Sequence, residues 1–303
     1  VSGATGDGTI IVSLPANSVT DVLGNNNSAS TSTDNSVTYD ITGPTVTINQ
    51  SAGQSDPTST LPINFTAVFS EAINASSFTS GDLTFGGTAP GTKTAVISLV
   101  SGNTYNIAVS GATGSGTITV SLPANTVTDV LGNNNSASTN TDNSVTYDMT
   151  SPTVTIDQAA GQSDPTVTLP INFTAVFSEA INPATFTASD LTFGGTAPGT
   201  KTAIISLVSG NTYNIAVSGA TGSGTITVSL PPNTVTDAAE NNNSASTSTD
   251  NSVMYYVQGI TVNPTSGLIT AEAGSMATFT VVLNSPPSGD VTVAVSSSDT
   301  TEG

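Results

Sequence analysis

Apolar residues recur at every second position along most of this chain. One run places apolar side chains at Ile63, Phe65, Ala67 and Phe69, each separated by a single residue. A period of two is typical of a β-strand with one buried face, whereas an amphipathic helix has a period near 3.6. The segment after Phe69 has room for one short helical turn. The pattern therefore predicts an all-β protein.

The alternation predicts seven strands between residues 44 and 148, at 44–50, 61–70, 83–86, 93–100, 104–110, 117–122 and 143–148. The intervening segments, such as SAGQSDP, GGTAPG and GATGSG, are rich in the residues that favour turns. Seven short antiparallel strands in about 100 residues are typical of an immunoglobulin-like Greek-key β-sandwich. We predict that four aromatic side chains fill its core rather than bind a ligand, namely Phe65, Phe69, Phe85 and Tyr105.

The chain also repeats itself. The string VSGAT begins at Val1, Val109 and Val217, which are 108 residues apart, and PTVTI begins at Pro44 and Pro152. Complete repeats are therefore predicted at 44–151 and 152–259. Residues 1–43 match only the last part of a repeat, and residues 260–303 follow a different pattern. The tandem sandwiches are thus expected to be flanked by two incomplete ones, and the first leaves an apolar face without covering strands at Ile10, Val12, Leu14, Val37 and Tyr39.

Composition argues against most catalytic and nucleic-acid functions. The 303 residues include 21 acidic and 2 basic ones, with no His and no Cys, and the net charge is −19. Without Cys, His or Arg there is no thiol or Ser–His nucleophile, no imidazole or thiolate zinc site and no arginine clamp. Lys93 and Lys201 alone cannot form a phosphate-binding surface, so no nucleic-acid partner is expected. The sequence contains no run of 18 apolar residues, so no membrane span is predicted.

Several phrases of the repeat resemble the bacterial Ig-like domain repeats of large surface and adhesin proteins. They are VTYDITGPTVTI at a junction, INFTAVFSEAI on a strand, GDLTFGG after it and TDVLGNNN late in the copy, and the resemblance covers residues 1–259. Residues 260–303, with TVNPTSGLITAEAGSMATFTVVLNSPPSGDVTV, resemble the start of a Calx-beta-like module, another sandwich. The resemblance implies an extracellular or cell-surface location and a rod-forming or adhesive role. The implied partners are neighbouring domains, copies of the chain, or a cell-surface or matrix ligand.

Acidic residues are few enough for their positions to be informative. On a seven-strand sandwich, Glu71, Asp82 and Asp129 fall at the end where the first strand enters, and Asp56 falls at the other end, near the exit at Asp148. Clusters of oxygen ligands suit Ca²⁺, so we expect calcium at the domain junctions. The candidate ligands are Asp40, Glu71, Asp82 and Asp129 at the first junction and Asp148, Glu179, Asp190 and Asp237 at the second, with Asp56 and Asp164 approaching from behind.

The third junction departs from this pattern. Tyr256 stands where the earlier copies have Asp40 and Asp148, and Glu240 replaces Gly132. We therefore expect a looser joint there.

Two other interpretations of the acids stay open: solvated carboxylates chosen by local turn geometry, or partners of Lys93 and Lys201. Glycoside hydrolysis would need two acids in a sugar cleft, normally with aromatic platforms. The chain has no Trp, and both acids would recur in every copy. Repetition of this kind favours a structural role, so we expect that the protein is not an enzyme.

Short linkers precede Pro44 and Pro152, and proline restricts both its own φ and the preceding residue. The leading prediction is a stiff spacer or stalk of a bacterial surface protein. The alternative is a subunit of an extracellular filament, in which residues 260–303 of one molecule supply strands to residues 1–43 of another. Adhesion through the loops is a third possibility, against which the scarcity of aromatic side chains argues.

Overall fold

The computed structural model describes residues 1–269, 274, 276–287 and 289–296. The chain divides into two compact units, Val1–Met149 and Thr150–Gly303. The predicted all-β class is confirmed, since the helical elements of the described residues are short 3₁₀ turns. The four domain ranges drawn from the repeat stay predictions. Parts of the predicted last module, at 270–273, 275, 288 and 297–303, lie outside the described residues.

The first unit contains nine strands: β1 Gly8–Ile11, β2 Ser36–Tyr39, β3 Val46–Gln50, β4 Ile63–Phe69, β5 Thr84–Gly86, β6 Thr94–Ser101, β7 Thr104–Ser110, β8 Gly116–Ser121 and β9 Ser144–Tyr147. Strands β3 to β9 correspond one to one with the seven predicted strands. Two 3₁₀ turns, Ala75–Ser77 and Ser80–Asp82, occupy the segment where one turn was expected.

The second unit repeats this order: β10 Val154–Gln158, β11 Ile171–Phe177, β12 Thr192–Gly194, β13 Thr202–Ser209, β14 Thr212–Ser218, β15 Gly224–Ser229 and β16 Ser252–Tyr255. Its 3₁₀ turns are Pro183–Thr185 and Ala188–Asp190. Two further strands follow, β17 Ile260–Asn263 and β18 Thr280–Leu283.

Each complete copy forms two antiparallel sheets. The strand orders are β3-β4-β7-β6 and β5-β8-β9 in the first copy, and β10-β11-β14-β13 and β12-β15-β16 in the second. A four-stranded sheet of the first, second, fifth and fourth strands facing a sheet of the third, sixth and seventh is the arrangement of a constant-type immunoglobulin sandwich. The predicted tandem Greek-key β-sandwiches are therefore confirmed.

The core follows from the alternation along the strands. Phe65 is fully buried on β4, and Phe69 and Tyr105 are buried beside it, as predicted, whereas Phe85 is only partly buried. Phe78, which follows the first 3₁₀ turn, completes a trio with edge-to-face contacts whose ring centroids lie 5.3 Å from Phe69 and 5.5 Å from Tyr105. The second copy builds the same trio from Phe177, Phe186 and Tyr213.

Residues 1–43 show what the last part of a repeat is like without its first part. Strands β1 and β2 pair in the register of β8 and β9 but form a sheet of two strands. Val120 is fully buried in the first copy, whereas its equivalent Val12 is 58% exposed. The expected uncovered face is therefore present.

The beginning and end of each copy are joined by parallel hydrogen bonds. The Ile48 amide donates to the Thr139 carbonyl at 2.9 Å, and the Thr139 amide donates to the Val46 carbonyl at 2.9 Å. A second pair of bonds links Thr58 to Thr146 and Asp148. The second copy has matching bonds of Ile156 and Val154 with Thr247 and of Thr166 with Met254 and Tyr256. The bonds to Thr139 and Thr247 lie along the outer edges of β3 and β10.

Candidate metal centre

Three predicted ligands of the first junction come together in the first unit. Asp40 directly follows β2, Glu71 lies just beyond the end of β4, and Asp129 lies in the loop between β8 and β9, where it bridges to Ile73. One carboxylate oxygen of each lies within 4.8 Å of those of the other two. Asp129 is only 2% exposed, and Asp40 and Glu71 are half-buried.

Asp129 also holds its own loop. Its Oδ1 accepts from the amides of Leu131 at 2.8 Å and Asn133 at 2.9 Å, and its Oδ2 accepts from Asn133 Nδ2 at 2.7 Å. Asp21 and Asp237 make similar bonds to Asn25 and Asn241 in their repeats. The turn-forming interpretation of this acid therefore describes part of its role. An ionised carboxylate has about four lone-pair sites, so three accepted bonds leave capacity for a cation.

Asp7 is a further acid at this site that the sequence analysis missed. Its Oδ1 accepts from the Ile41 amide at 2.8 Å, and its Oδ2 accepts from the Thr42 hydroxyl. It lines an open cleft with Asp40 and Glu71. The later copies have Ser115 and Ser223 at this position. Departure from the repeat was the signal that could have identified it.

The pKa values of three of these acids are shifted by burial, by hydrogen bonds and by neighbouring charge. Burial raises the pKa of Glu71 above its ordinary value, and the charges of Asp40, Asp129 and Asp7 raise it further. Burial also acts to raise the pKa of Asp129, but hydrogen bonds from Asn133, Leu131 and Gly132 outweigh it, so that pKa is lowered. The Thr42 hydroxyl, followed by the Ile41 amide, lowers the pKa of Asp7. Of Glu71, Asp129 and Asp7, Glu71 is therefore the one whose charged form is disfavoured.

Four other predicted ligands accept hydrogen bonds from backbone amides. Asp82 Oδ2 accepts from the Thr79 amide and hydroxyl, each at 2.7 Å, in a capping box of the second 3₁₀ turn, and Asp190 does the same with Thr187. Asp56 accepts from the Thr146 amide at 2.9 Å, and Asp164 accepts from the Met254 amide at 2.9 Å. None of these four belongs to the group formed by Asp40, Glu71 and Asp129.

The second unit brings together Glu179 and Asp237, whose equivalents are Glu71 and Asp129. Their nearest carboxylate oxygens lie within 4.8 Å of each other, and Asp237 is 4% exposed. Asp148 belongs to the first unit, where it accepts from the Ser115 hydroxyl at 3.1 Å. Its predicted part in a second site stays a prediction.

The ligand chemistry of the first group suits a hard cation. All its donors are carboxylate oxygens, which Ca²⁺ prefers, and the chain has no Cys or His to favour zinc or copper. The two lysine ammonium groups each donate to a backbone carbonyl, those of Ala89 and Ala197. Asp40, Glu71 and Asp129 therefore fit calcium by residue type, with Asp7 close by.

No protein-family model matches the chain, and no curated protein matches it. Among solved structures, it is similar to the N-terminal part of the bacterial S-layer protein SbsC, with 14% identity and a TM-score of 0.24; the match covers 70% of this chain and 44% of the S-layer chain. It is also similar to InvD of Yersinia pseudotuberculosis, with 12% identity and a TM-score of 0.31, over 79% of this chain and 68% of InvD. Likeness at this level assigns no function. Within the described residues, no helix has the length and apolar character to cross a membrane.

Proposed function

We propose that the chain is a structural repeat array of a bacterial surface protein and acts there as a stiff spacer or stalk. The observation that carries this proposal is the linker before the first complete copy, which is hydrogen-bonded from both sides. The preceding partial repeat contributes Asp7, which accepts from the Ile41 amide at 2.8 Å. The following copy contributes Asn133, whose Nδ2 donates to the Asp40 carbonyl at 3.2 Å.

The junction between the linker and the start of the copy is equally constrained. The Thr45 amide donates to the Ser70 hydroxyl at 3.0 Å, and the Ser136 amide donates to the Pro44 carbonyl at 3.0 Å. A Cβ built on Gly43 would lie 1.9 Å from the Asn134 carbonyl oxygen, so the backbone is packed directly against that loop. A linker with this many bonds, and with the Gly43 backbone packed directly against the next loop, resists bending, as a spacer requires.

The parallel bonds within each copy support a load-bearing role. The chain enters a copy at β3 and leaves it after β9, so tension applied at the two ends pulls along these segments and shears the bonds that join Ile48 to Thr139 and Thr58 to Thr146. Bonds loaded along parallel strands must break together, whereas bonds at a hairpin end break one after another. Each contributes about 0.5–1.5 kcal/mol in water. The geometry therefore favours cooperative resistance to stretching.

Single-molecule stretching of the full chain tests this proposal. We expect two abrupt unfolding steps of equal contour length, one for each complete copy. Thr139→Pro removes the amide that donates to Val46 and should lower the force of one step while leaving the other unchanged. Thr139→Ala, which keeps that amide, is the matched control. Smooth lengthening without steps would contradict the load-bearing role.

Calcium binding by Asp40, Glu71 and Asp129 is part of this proposal. Asp40 lies on the linker, and Glu71 and Asp129 lie on the copy that follows it. When bound, Ca²⁺ would supply positive charge among these carboxylates and join the linker to the copy. The raised pKa of Glu71 supports the proposal, because it reflects burial first and then the charges of neighbouring carboxylates, and a bound cation would offset both effects.

A head-to-tail filament is the second candidate, favoured by the two small terminal sheets. β1-β2 and β17-β18 are sheets of two strands, and both expose apolar side chains, among them Val37 at 66% and Val282 at 57%. Strands β17 and β18 of another molecule would cover the face around Val12 and Val37. Electron microscopy should then show filaments with a regular axial repeat, and Val12→Asp should abolish them. Unassembled particles at every concentration would contradict this candidate.

A further inference from the structure

Basic residues are rare in this chain, and both of them lie in the complete copies. The 303 residues contain Lys93 and Lys201, at equivalent positions, and no Arg. Proteases of the trypsin class cleave after Lys or Arg, because their specificity pocket recognises a cationic side chain. The whole chain therefore offers such an enzyme two peptide bonds, Lys93–Thr94 and Lys201–Thr202.

The fold holds the residues that precede the first of these bonds. The Lys93 ammonium donates to the carbonyl of Ala89, a buried residue whose amide donates to the Thr117 carbonyl at 3.0 Å. The Thr113 amide donates to the Pro90 carbonyl at 2.9 Å. A protease cleaves only a segment that can leave the fold and enter its cleft, so these contacts must open first.

The backbone on both sides of this bond is also in close contact with its surroundings. A Cβ built on Gly91 would lie 2.2 Å from the Gly111 carbonyl oxygen, and one built on Gly111 would lie 2.1 Å from the Thr92 carbonyl oxygen. After the bond the chain enters β6, where Thr94 pairs with Ser110. Neither side of the bond is therefore a loose loop.

The second copy has the same contacts around Lys201. Its ammonium donates to the carbonyl of Ala197, which is a buried residue. The Thr221 amide donates to the Pro198 carbonyl at 2.9 Å, and β13 begins at Thr202, directly after the lysine. Both bonds are thus held in the same way.

Residues 1–43 differ, because their inner face is uncovered. Val12 is 58% exposed and Val37 is 66% exposed, so local opening should cost little in this segment. The segment contains no Lys or Arg, and neither do residues 202–303. The part of the chain that should open most readily therefore offers a trypsin-class enzyme no bond to cleave.

We propose that the folded chain resists trypsin-class proteases, and that in the complete copies this resistance comes from the contacts around Lys93 and Lys201. The proposal adds a function to the spacer role, namely persistence of an intact array where such enzymes are present. Cleavage adds water across the bond and leaves a carboxylate on the lysine and an amine on the threonine. Its rate should follow the population of the open copy. The spacer role is tested by stretching, so either proposal can fail without the other.

Digestion of the full chain with trypsin tests this proposal. Synthetic peptides of residues 86–97 and 194–205, which carry the same bonds without the fold, serve as references. We expect both bonds to be cut at least about a hundredfold more slowly in the native chain than in the peptides, because only the open copy is a substrate. Mass spectrometry identifies the products. Equally fast cleavage in the native chain at either bond would overturn the proposal.

A pair of introduced lysines separates protection by the fold from scarcity of basic residues. Ser32→Lys and Asn140→Lys both create the sequence SASTKTDNSV at equivalent, exposed positions. In the complete copy, the amides of Thr139 and Thr141, on either side of the new lysine, donate to β3. Ser32→Lys should therefore be cut much faster than Asn140→Lys. Equal rates in a dilute sample would overturn the proposal.

Gly111→Ala should open one loop and leave the other as an internal standard. Its Cβ would displace the Thr92 carbonyl, so cleavage at Lys93 should accelerate while cleavage at Lys201 stays unchanged. Gly81→Ala is the matched control, because a Cβ there makes an ordinary contact at 3.6 Å. Acceleration at both lysines, or at neither, would overturn the proposal. If circular dichroism shows that Gly111→Ala does not fold, the pair of introduced lysines decides the question.

Discussion

At the residue scale, the acids of this chain differ by what they bind. Asp129 is held in its ionised form by hydrogen bonds from its own loop, whereas Glu71 is opposed by burial and by three neighbouring carboxylates. A carboxyl group with a raised folded-state pKa stabilises the fold below its unfolded pKa, and the fold loses that contribution as pH rises through the folded pKa. At neutral pH without a cation, ionised Glu71 therefore destabilises the first copy.

Replacement of Glu71 by Gln should consequently have opposite effects with and without calcium. In chelator at neutral pH, Glu71→Gln should raise the melting temperature, because it removes one of the crowded charges. In added calcium it should lose most of the stabilisation that the native chain gains. Differential scanning calorimetry with and without Ca²⁺ measures both effects, with Asp34→Asn, an acid outside the group, as control. Equal calcium stabilisation of the native and variant chains would rule out Glu71 as a ligand.

Asp157 should make the stability of the second copy depend on pH in a way that the stability of the first copy does not. Its carboxylate accepts from the Asp250 amide at 2.9 Å and the Thr249 amide at 2.7 Å, which lower its pKa, as does the Ser248 hydroxyl. Asn49 is its equivalent in the first copy and binds Thr141 and Asp142. A lowered pKa stabilises the fold above the unfolded value, near 4, and this contribution is lost as pH falls through the folded value.

The stability difference between the native chain and Asp157→Asn should therefore narrow as the pH falls below about 4. Urea unfolding at a series of pH values measures it, and Asn49→Asp, which places the carboxylate in the first copy, should introduce the same dependence there. A difference that stays constant from neutral to acid pH would show that these hydrogen bonds do not depend on the charge of Asp157.

At the scale of elements, the strands could be predicted because each has one buried face. The alternation through Ile63, Phe65, Ala67 and Phe69 is visible in the sequence, and all four side chains are buried. Phe78 was missed because it follows a 3₁₀ turn, where no period of two exists. Asp82 was placed among the metal ligands by its position at the end of the sandwich, although its spacing from Thr79 is also that of a capping box.

The aromatic trio predicts where the first copy is most sensitive to truncation. Phe78→Ala should cost about 3–5 kcal/mol, the usual range for a buried Phe, because it opens a cavity and removes two edge-to-face contacts. Phe186→Ala should have the same effect on the second copy. Chemical denaturation measures both, and Val96→Ala, at a 72% exposed position, should cost little. A small loss for Phe78→Ala would mean that the trio repacks around the missing ring.

At the scale of the whole molecule, the partial repeat provides an internal comparison. Residues 8–39 have the same strand pairing as residues 116–147 but lack the sheet that covers them. Local opening costs less where few apolar contacts are broken. Amide hydrogens at 8–39 should therefore exchange much faster than their equivalents, as measured by hydrogen exchange with mass spectrometry. Equal protection in a dilute sample would show that another part of the molecule covers this face.

The predictions from sequence were strongest where the repeat supplied a second example and weakest where it did not. Gly43 illustrates the limit, since its equivalent is Ser151 and only the structure shows its backbone against Asn134. Asp7 is similar, because its place in the site depends on hydrogen bonds from Ile41 and Thr42, which lie 34 and 35 residues away in sequence. Contacts across a linker have no periodicity and so leave no pattern in the sequence.

Each complete copy encloses its own core and completes its own two sheets. A gene that encodes such units in nearly identical stretches can gain or lose one by recombination in frame, and neither core would be interrupted by the event. The number of units can thus change without the evolution of a new fold.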